Sequence, residues 1–288
     1  MILRTLMLTL VVILAGAKMG SAAFVAPAGL AFWVQADQGV TTSGSDVTGW
    51  ADQSGNNRHL ATAATFDDPI LVTNVQTGID SDSNPILNSV VRFDGNDLMN
   101  NGPGGTHNAQ AIFMVTRFGG AGVPYTRHGG VNEYLGTVGD GNLYLKNPQT
   151  FWVGGETALI GSGFHVISGL YQDPANGSAG SIYADGVLQA TGTGGSSPTN
   201  LYDEVGGRWS VSSYNAFFSG DIAELLVFST NLSAADRESV ENYLTEKYLF
   251  FEVATVPAPE PSTFLLLGLG ALGIINNTRR RNSAGRNV

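Results

Sequence analysis

The chain has 288 residues, enough for one large β domain, and its 38 glycines and 13% charged residues favour many tight turns over long surface helices. It contains no cysteine, which excludes a disulfide framework, a thiolate metal site and a cysteine nucleophile. Its formal charge is −10, and over residues 24–259 eight Lys and Arg stand against 23 Asp and Glu, a balance of −15 that argues against nucleic acid or anionic lipid as partners.

Residues 1–23 read as a secretory signal peptide. Arg4 gives a short basic start, an apolar run covers 6–15, and Ser21-Ala22-Ala23 places small residues where signal peptidase needs them. Cleavage is expected before Phe24, with Ala15-Gly16-Ala17 as the other candidate. A permanent anchor needs about 20 apolar residues, and Lys18 interrupts this run far short of that.

Residues 24–252 form the domain. Short apolar or alternating runs bounded by Gly, Asn, Asp and Pro predict strands at 29–34, 90–93, 111–118, 143–146, 164–171, 181–184, 187–191 and 221–228. Asp185-Gly186 between two such runs predicts a type I′ hairpin turn, and Asp94-Gly95-Asn96 and Asp140-Gly141-Asn142 read as further turns. One helix is expected after Ser233 as N-cap with Asp236 three residues on, placing Val240, Tyr243, Leu244 and Tyr248 on one face. Many short strands and one helix give an all-β sandwich or barrel, with no repeat period to suggest a solenoid.

Residues 253–263 are a Pro-rich linker, and 264–288 hold a short hydrophobic helix and a basic tail. The apolar run 264–275 spans twelve residues, about 18 Å as a helix, against a hydrocarbon core of about 30 Å. It enters a bilayer but holds poorly, so an ordinary single-span tail anchor is the weaker reading. Arg279, Arg280 and Arg281 then stop transfer and stay cytoplasmic, leaving the domain on the outer side. This order of Pro259-Glu260-Pro261, short helix and arginine cluster resembles the PEP-CTERM sorting signal of Gram-negative bacteria. The resemblance implies processing by exosortase at that motif after export past signal peptidase. It further implies transient anchoring in the inner membrane, and a destination at the cell surface or in the extracellular matrix, with exopolysaccharide and biofilm as the setting.

A second resemblance covers about residues 29–249. Phe32-Trp33-Val34-Gln35-Ala36-Asp37, Trp50-Ala51-Asp52-Gln53-Ser54-Gly55-Asn56, Val91-Arg92-Phe93-Asp94-Gly95, Tyr183-Ala184-Asp185-Gly186-Val187 and Gly220-Asp221-Ile222-Ala223-Glu224-Leu225 follow in order. Together they resemble the laminin-G-like, concanavalin A-like lectin and glucanase superfamily. The implied fold is a jelly-roll sandwich of two curved antiparallel sheets, and the implied functions range from lectins and adhesion modules to glycoside hydrolases, so fold alone settles no activity.

Glucanase chemistry needs acidic residues two apart on one strand, because period-two spacing points both into one cleft. No predicted strand carries that pair. Asp221 and Glu224 are three apart, which sends them to opposite faces, and Glu224 reads as a structural carboxylate satisfied by hydrogen bonds. The loop from Asp80 fails as an EF-hand, since Pro85 and Val91 stand where glycine and glutamate are needed. Calcium held by turn carboxylates such as Asp94 and Asp97 is the remaining metal option, and the sequence requires no cofactor. His59, His107, His128 and His165 lack zinc spacing, and there is no Gly-x-Ser-x-Gly elbow.

Sugar rings stack on aromatic faces through their apolar C–H surfaces, so exposed aromatics are the candidates for ligand contact. Trp33 and Trp50 read as core, whereas Trp152, Trp209 and Tyr214 border Gly-rich or polar loops and are the ligand-binding candidates. The resulting expectation is an exported, non-catalytic carbohydrate-binding or adhesion module. A purely structural matrix protein and a polysaccharide hydrolase or lyase stand as alternatives.

Overall fold

The computed structural model describes residues 24–128, 133–137, 141–146, 152–155, 159–177, 179–193, 195, 201–210 and 213–249, with backbone alone at 152–155, 209–210 and 213–215. In chain order the strands begin β1 (Leu30–Gln35), β2 (Val40–Ser43), β3 (Asp46–Trp50), β4 (Leu60–Thr62), β5 (Ile70–Ile79), β6 (Pro85–Asp94), β7 (Met99–Asn100), β8 (Ala111–Phe118) and β9 (Tyr125–His128). They continue with β10 (Glu133–Thr137), β11 (Leu143–Lys146), β12 (Trp152–Gly155), β13 (His165–Asp173), β14 (Ala179–Ala184) and β15 (Val187–Gly192). The last four are β16 (Tyr202–Val205), β17 (Arg208–Ser210), β18 (Ser213–Asn215) and β19 (Ser219–Phe228), followed by helix α1 (Ala234–Leu244) and a π-helical turn (Thr245–Leu249).

Antiparallel pairing builds two layers, a jelly-roll β-sandwich. In the first, β19 is central, with β8, β13, β14 and β15 on one side and β1 and β6 sharing the other, β5 lying beyond β6. The second runs β2-β3-β4-β7-β16-β9-β10-β11-β12. A hairpin of β17 and β18 stands apart and packs on β9.

Strand alternation divides the apolar residues between two cores. From β8, Ile112 and Met114 enter the core between the sheets, while Phe113 and Val115 enter a second core beneath α1. That is why 111–115 reads as an unbroken apolar run: that part of the strand is covered on both faces. Trp50 anchors the inner core at 1% exposure and donates Nε1–H to the Gln35 carbonyl at 2.8 Å.

The helix begins as expected, with Ser233 Oγ accepting the Asp236 amide. It is held down by one carboxylate. Glu224 is fully buried and accepts hydrogen bonds from Trp33 Nε1 at 2.6 Å, Tyr243 OH at 2.9 Å, Lys247 Nζ at 2.9 Å and Tyr248 OH at 2.7 Å. Lys247 also donates to Gln35 Oε1 and pairs with Asp37. Phe24 stacks on Tyr243 at 3.9 Å between ring centres and meets the edge of Trp33, so the start of the domain and its last helix close over the same spot.

The expected type I′ turn is present, with Asp185 and Gly186 both at positive φ, 50° and 75°. The segment after Trp50 is explained by Asp52, whose carboxylate accepts the amides of Trp33, Ser54 and Arg58 and so staples that loop to β1. One expectation is corrected. Asp221 and Glu224 do not lie on opposite faces, because a bulge between Ile222 and Glu224 inserts a residue: Asp221 pairs with Arg117 and Glu224 with Val115, two apart on β8. Both acids therefore project to the helix side. Asp221 is neutralised there by Arg92 and Arg117, and Glu224 by Lys247.

Among the described residues no helix is long and apolar enough to cross a membrane. The expected signal peptide 1–23, the sorting residues Pro259, Glu260 and Pro261, the expected helix over 264–275 and Arg279, Arg280 and Arg281 lie outside the described residues.

Candidate functional site

The second sheet carries a row of polar and aromatic residues across its outward face. Asn100 pairs with Glu204, Glu204 with Thr126, Thr126 with Tyr134, Tyr134 with Lys146, and Lys146 with Trp152. Directly paired residues share a face, so the register itself aligns β7, β16, β9, β10, β11 and β12 into one line. At about 4.8 Å per strand the line extends about 24 Å. Beside it, Tyr202 pairs with His128, and their rings stack at 4.9 Å with 23° between planes. His128 Nδ1 is 3.2 Å from Glu204 Oε1.

The face is walled as well as lined. Glu204, Thr126 and Tyr134 point away from the inter-sheet core yet are no more than 1% exposed. Part of that cover is the β17–β18 hairpin, whose Arg208 lies 4.9 Å over the Tyr134 ring. Burial and the nearby Arg208 charge together lower the Lys146 pKa. The partly exposed groups on this face are thus the Tyr202 and His128 rings, the Asn100 amide and the Lys146 and Arg208 cations, over a buried Glu204 carboxylate.

Beneath it, the same strands place a different set of charges inward. Asp203 alternates with Glu204 and is fully buried, accepting from Tyr125 OH at 2.5 Å and Asn101 Nδ2 at 2.7 Å, with His107 Nε2 at 2.8 Å. Burial opposes its ionisation, but His107, Arg127 and Tyr125 outweigh that and hold the carboxyl below its usual range. Arg127 is fully buried against Glu133 at 3.4 Å and donates to the carbonyls of His107 and Leu201. This inner cluster fixes the strands that carry the outward row, and it pins the 101–109 connection to β16.

The aromatic candidates from the sequence are described by their backbone alone. Trp209 and Tyr214 are cross-strand partners in the β17–β18 hairpin, and Trp152 is the partner of Lys146; their side chains lie outside the described residues. Asp94 and Asp97 lie elsewhere, at the end of β6. Asp97 is 2% exposed and accepts the Asp94 amide at 2.7 Å, closing the turn, while Asp94 is exposed. Burial, with Asp94, Asp67 and Asp68 nearby, raises the Asp97 pKa to about 6. Among the described residues no group of three or more His, Asp or Glu is placed to hold a metal.

Tyr202, Glu204, His128 and Tyr134 were not legible beforehand, because strands 125–128, 133–137 and 202–205 carry charges where a sandwich strand is expected to be apolar. Alternation of Asp203 with Glu204 and of Arg127 with His128 is the signal they leave, but it looks like loop until the inner partners are known.

The fold is a jelly-roll β-sandwich. Similar solved structures include domain 4 of AbnA, a GH43 extracellular arabinanase from Geobacillus stearothermophilus, in complex with arabinotriose. It is 15% identical over 72% of this chain and 95% of that one, with a TM-score of 0.45. The CBM40 of Ruminococcus gnavus IT-sialidase bound to α2,3-sialyllactose is 14% identical over 59% of this chain and 98% of that one, with a TM-score of 0.42. The binding domain of Paraclostridial Mosquitocidal Protein 1 is 11% identical, and this chain spans about half of it, 52%, with 75% of this chain covered and a TM-score of 0.48. These are likenesses of fold. No curated protein matches the chain. Residues 257–281 match the PEP-CTERM protein-sorting motif, so the chain carries that signal and is an exported protein that is membrane-anchored during sorting.

Proposed function

We propose that this exported protein is a carbohydrate-binding module of the cell surface or extracellular matrix, and that its ligand lies across the outward face of the second sheet. The observation that carries the reading is the row from Asn100 to Lys146, flanked by the Tyr202–His128 stack and overhung by Arg208. Such a surface suits a polymer of repeating units. Aromatic rings take the C–H faces of sugars, and the carboxylate, amide and cations take hydroxyls or acidic substituents. Among the described residues Glu204 is the one carboxylate on that row, whereas the two-carboxylate mechanisms of glycoside hydrolysis need a facing pair.

Exosortase, acting at Pro259-Glu260-Pro261, is the proposed partner in sorting, and exopolysaccharide the proposed partner at the destination. The test is binding of the exported protein to a panel of purified bacterial polysaccharides, with and without Tyr202→Ala. Retention on at least one polysaccharide, weakened by the substitution, supports the reading; no retention on any of them overturns it.

A further inference from the structure

The other sheet holds a second chemical grouping that neither the sorting signal nor the sugar-binding reading uses. Ser162 Oγ lies 2.8 Å from His165 Nε2, His165 Nδ1 lies 2.7 Å from Asp185 Oδ2, and Asp185 Oδ1 accepts the Val166 amide at 2.9 Å. Both ring nitrogens are engaged in the sense that nucleophilic catalysis requires, with the hydroxyl on Nε2 and the carboxylate on Nδ1. We propose that Ser162, His165 and Asp185 form a nucleophilic triad that hydrolyses small acyl esters carried on a polymer, such as acetyl groups on a polysaccharide.

Each residue is placed by a distinct element. Ser162 sits in the Gly161-Ser162-Gly163 connection, whose start is bonded to the Phe118 carbonyl through the Gly161 amide. His165 opens β13, and Asp185 occupies the first central position of the type I′ turn between β14 and β15. The turn fixes the carboxylate twice over, through its own geometry and through the Val166 amide, and so holds it against the imidazole.

Proton placement is consistent with the role. The Ser162 O–H also donates to the Leu159 carbonyl, and a single hydroxyl proton serves one acceptor at a time, so the proton must turn from Leu159 to His165 for the reaction. When neutral His165 donates Nδ1–H to Asp185, Nε2 is left as an acceptor and the Ser162 O–H turns toward it.

Among the described residues, apart from the adjoining ones, no atom lies within 4 Å of where a Cβ would stand at Gly161 or Gly163. Ile160 lies two residues before Ser162, and Val187 and Leu188 follow the Asp185-Gly186 turn; all three are exposed. A half-buried nucleophile between two exposed glycines and beside small apolar surfaces fits a short acyl group presented on a bulky chain better than a substrate that must be engulfed.

In the reaction, Ser162 Oγ bonds to the ester carbonyl carbon as its proton passes to His165 Nε2. The carbon–oxygen bond to the polymer then breaks, and the departing oxygen takes that proton. Water repeats the sequence on the acyl-serine, releasing the carboxylic acid and restoring the Ser162 O–H.

The experiment treats the full chain with a fluorophosphonate probe and, separately, with p-nitrophenyl acetate. A single phosphonyl adduct on the peptide containing Ser162 is expected, together with hydrolysis that falls about 10² to 10⁴-fold in His165→Ala. Ser162→Ala abolishes both. Asp185→Asn keeps a residue suited to positive φ, and so keeps the turn, while lowering the rate. Absence of an adduct on Ser162, or equal hydrolysis by Ser162→Ala, overturns the proposal and leaves the three residues as a turn clamp.

Discussion

Replacing Glu224 by alanine removes the one acceptor shared by Trp33, Tyr243, Lys247 and Tyr248. The lost bonds are charge-assisted, but the larger cost is what remains: an ammonium that keeps only Gln35 and Asp37, a buried Tyr248 hydroxyl, and half-buried Tyr243 and Trp33 donors that have lost their acceptor. Truncating one member of a buried ion pair costs about 3–5 kcal/mol, and a chain of this size loses about 2–4 °C in Tm per kcal/mol. The expected loss is therefore about 4 kcal/mol, a fall of about 8–16 °C. Because the hub joins Phe24 and β1 to α1, the loss should centre on the helix and the first strand rather than on the second sheet. Urea denaturation of wild type and variant measures the total, and hydrogen exchange over 234–249 locates it. A change below about 1 kcal/mol, or unchanged exchange in that segment, would refute the view that this carboxylate holds the layer in place.

The remaining predictions are more local. Asp97→Asn keeps an oxygen for the Asp94 amide and removes a charge that burial disfavours. The folded pKa of about 6 lies above the usual 3.8, so the charge costs stability above pH 6 and nothing below about pH 4. The variant should gain about 1–2 kcal/mol at pH 7, after allowance for solvent screening, and nothing at pH 4; a pH series of urea melts checks this. Burial raises the pKa of Tyr125, Tyr171, Tyr248 and Tyr243, and that of Tyr183 to about 12, so the fold favours neutral phenols and stability should fall as pH rises beyond about 10. Circular dichroism should show that alkaline transition. Tyr202→Ala should weaken polysaccharide binding about tenfold, equivalent to about 1.4 kcal/mol, read by affinity electrophoresis. Mass spectrometry of exported material should find a C-terminus near Pro259; recovery of Arg279 to Arg281 would contradict processing.

The sequence by itself determined the features whose physics is local. The Pro-Glu-Pro leader, short apolar run and arginine cluster are read from composition and length. The Asp185-Gly186 turn follows from the need for positive φ, the Ser233 cap from an amide in search of an acceptor, and β8 and β19 from unbroken apolar runs covered on both sides. Strands that mix charge with apolar residues were hidden, because Arg127, Glu133 and Asp203 are acceptable in a core once partners from distant segments neutralise them. The bulge at Ala223 likewise depends on pairing with β8, and it reversed the expected relation between Asp221 and Glu224. Only the tertiary structure set the register that aligns Asn100 through Trp152, and only packing of β13 on the β14–β15 turn brought Ser162 and His165 to Asp185. A site of that kind is a property of pairing between segments, and pairing over such separations is decided by the whole fold rather than by any stretch of chain.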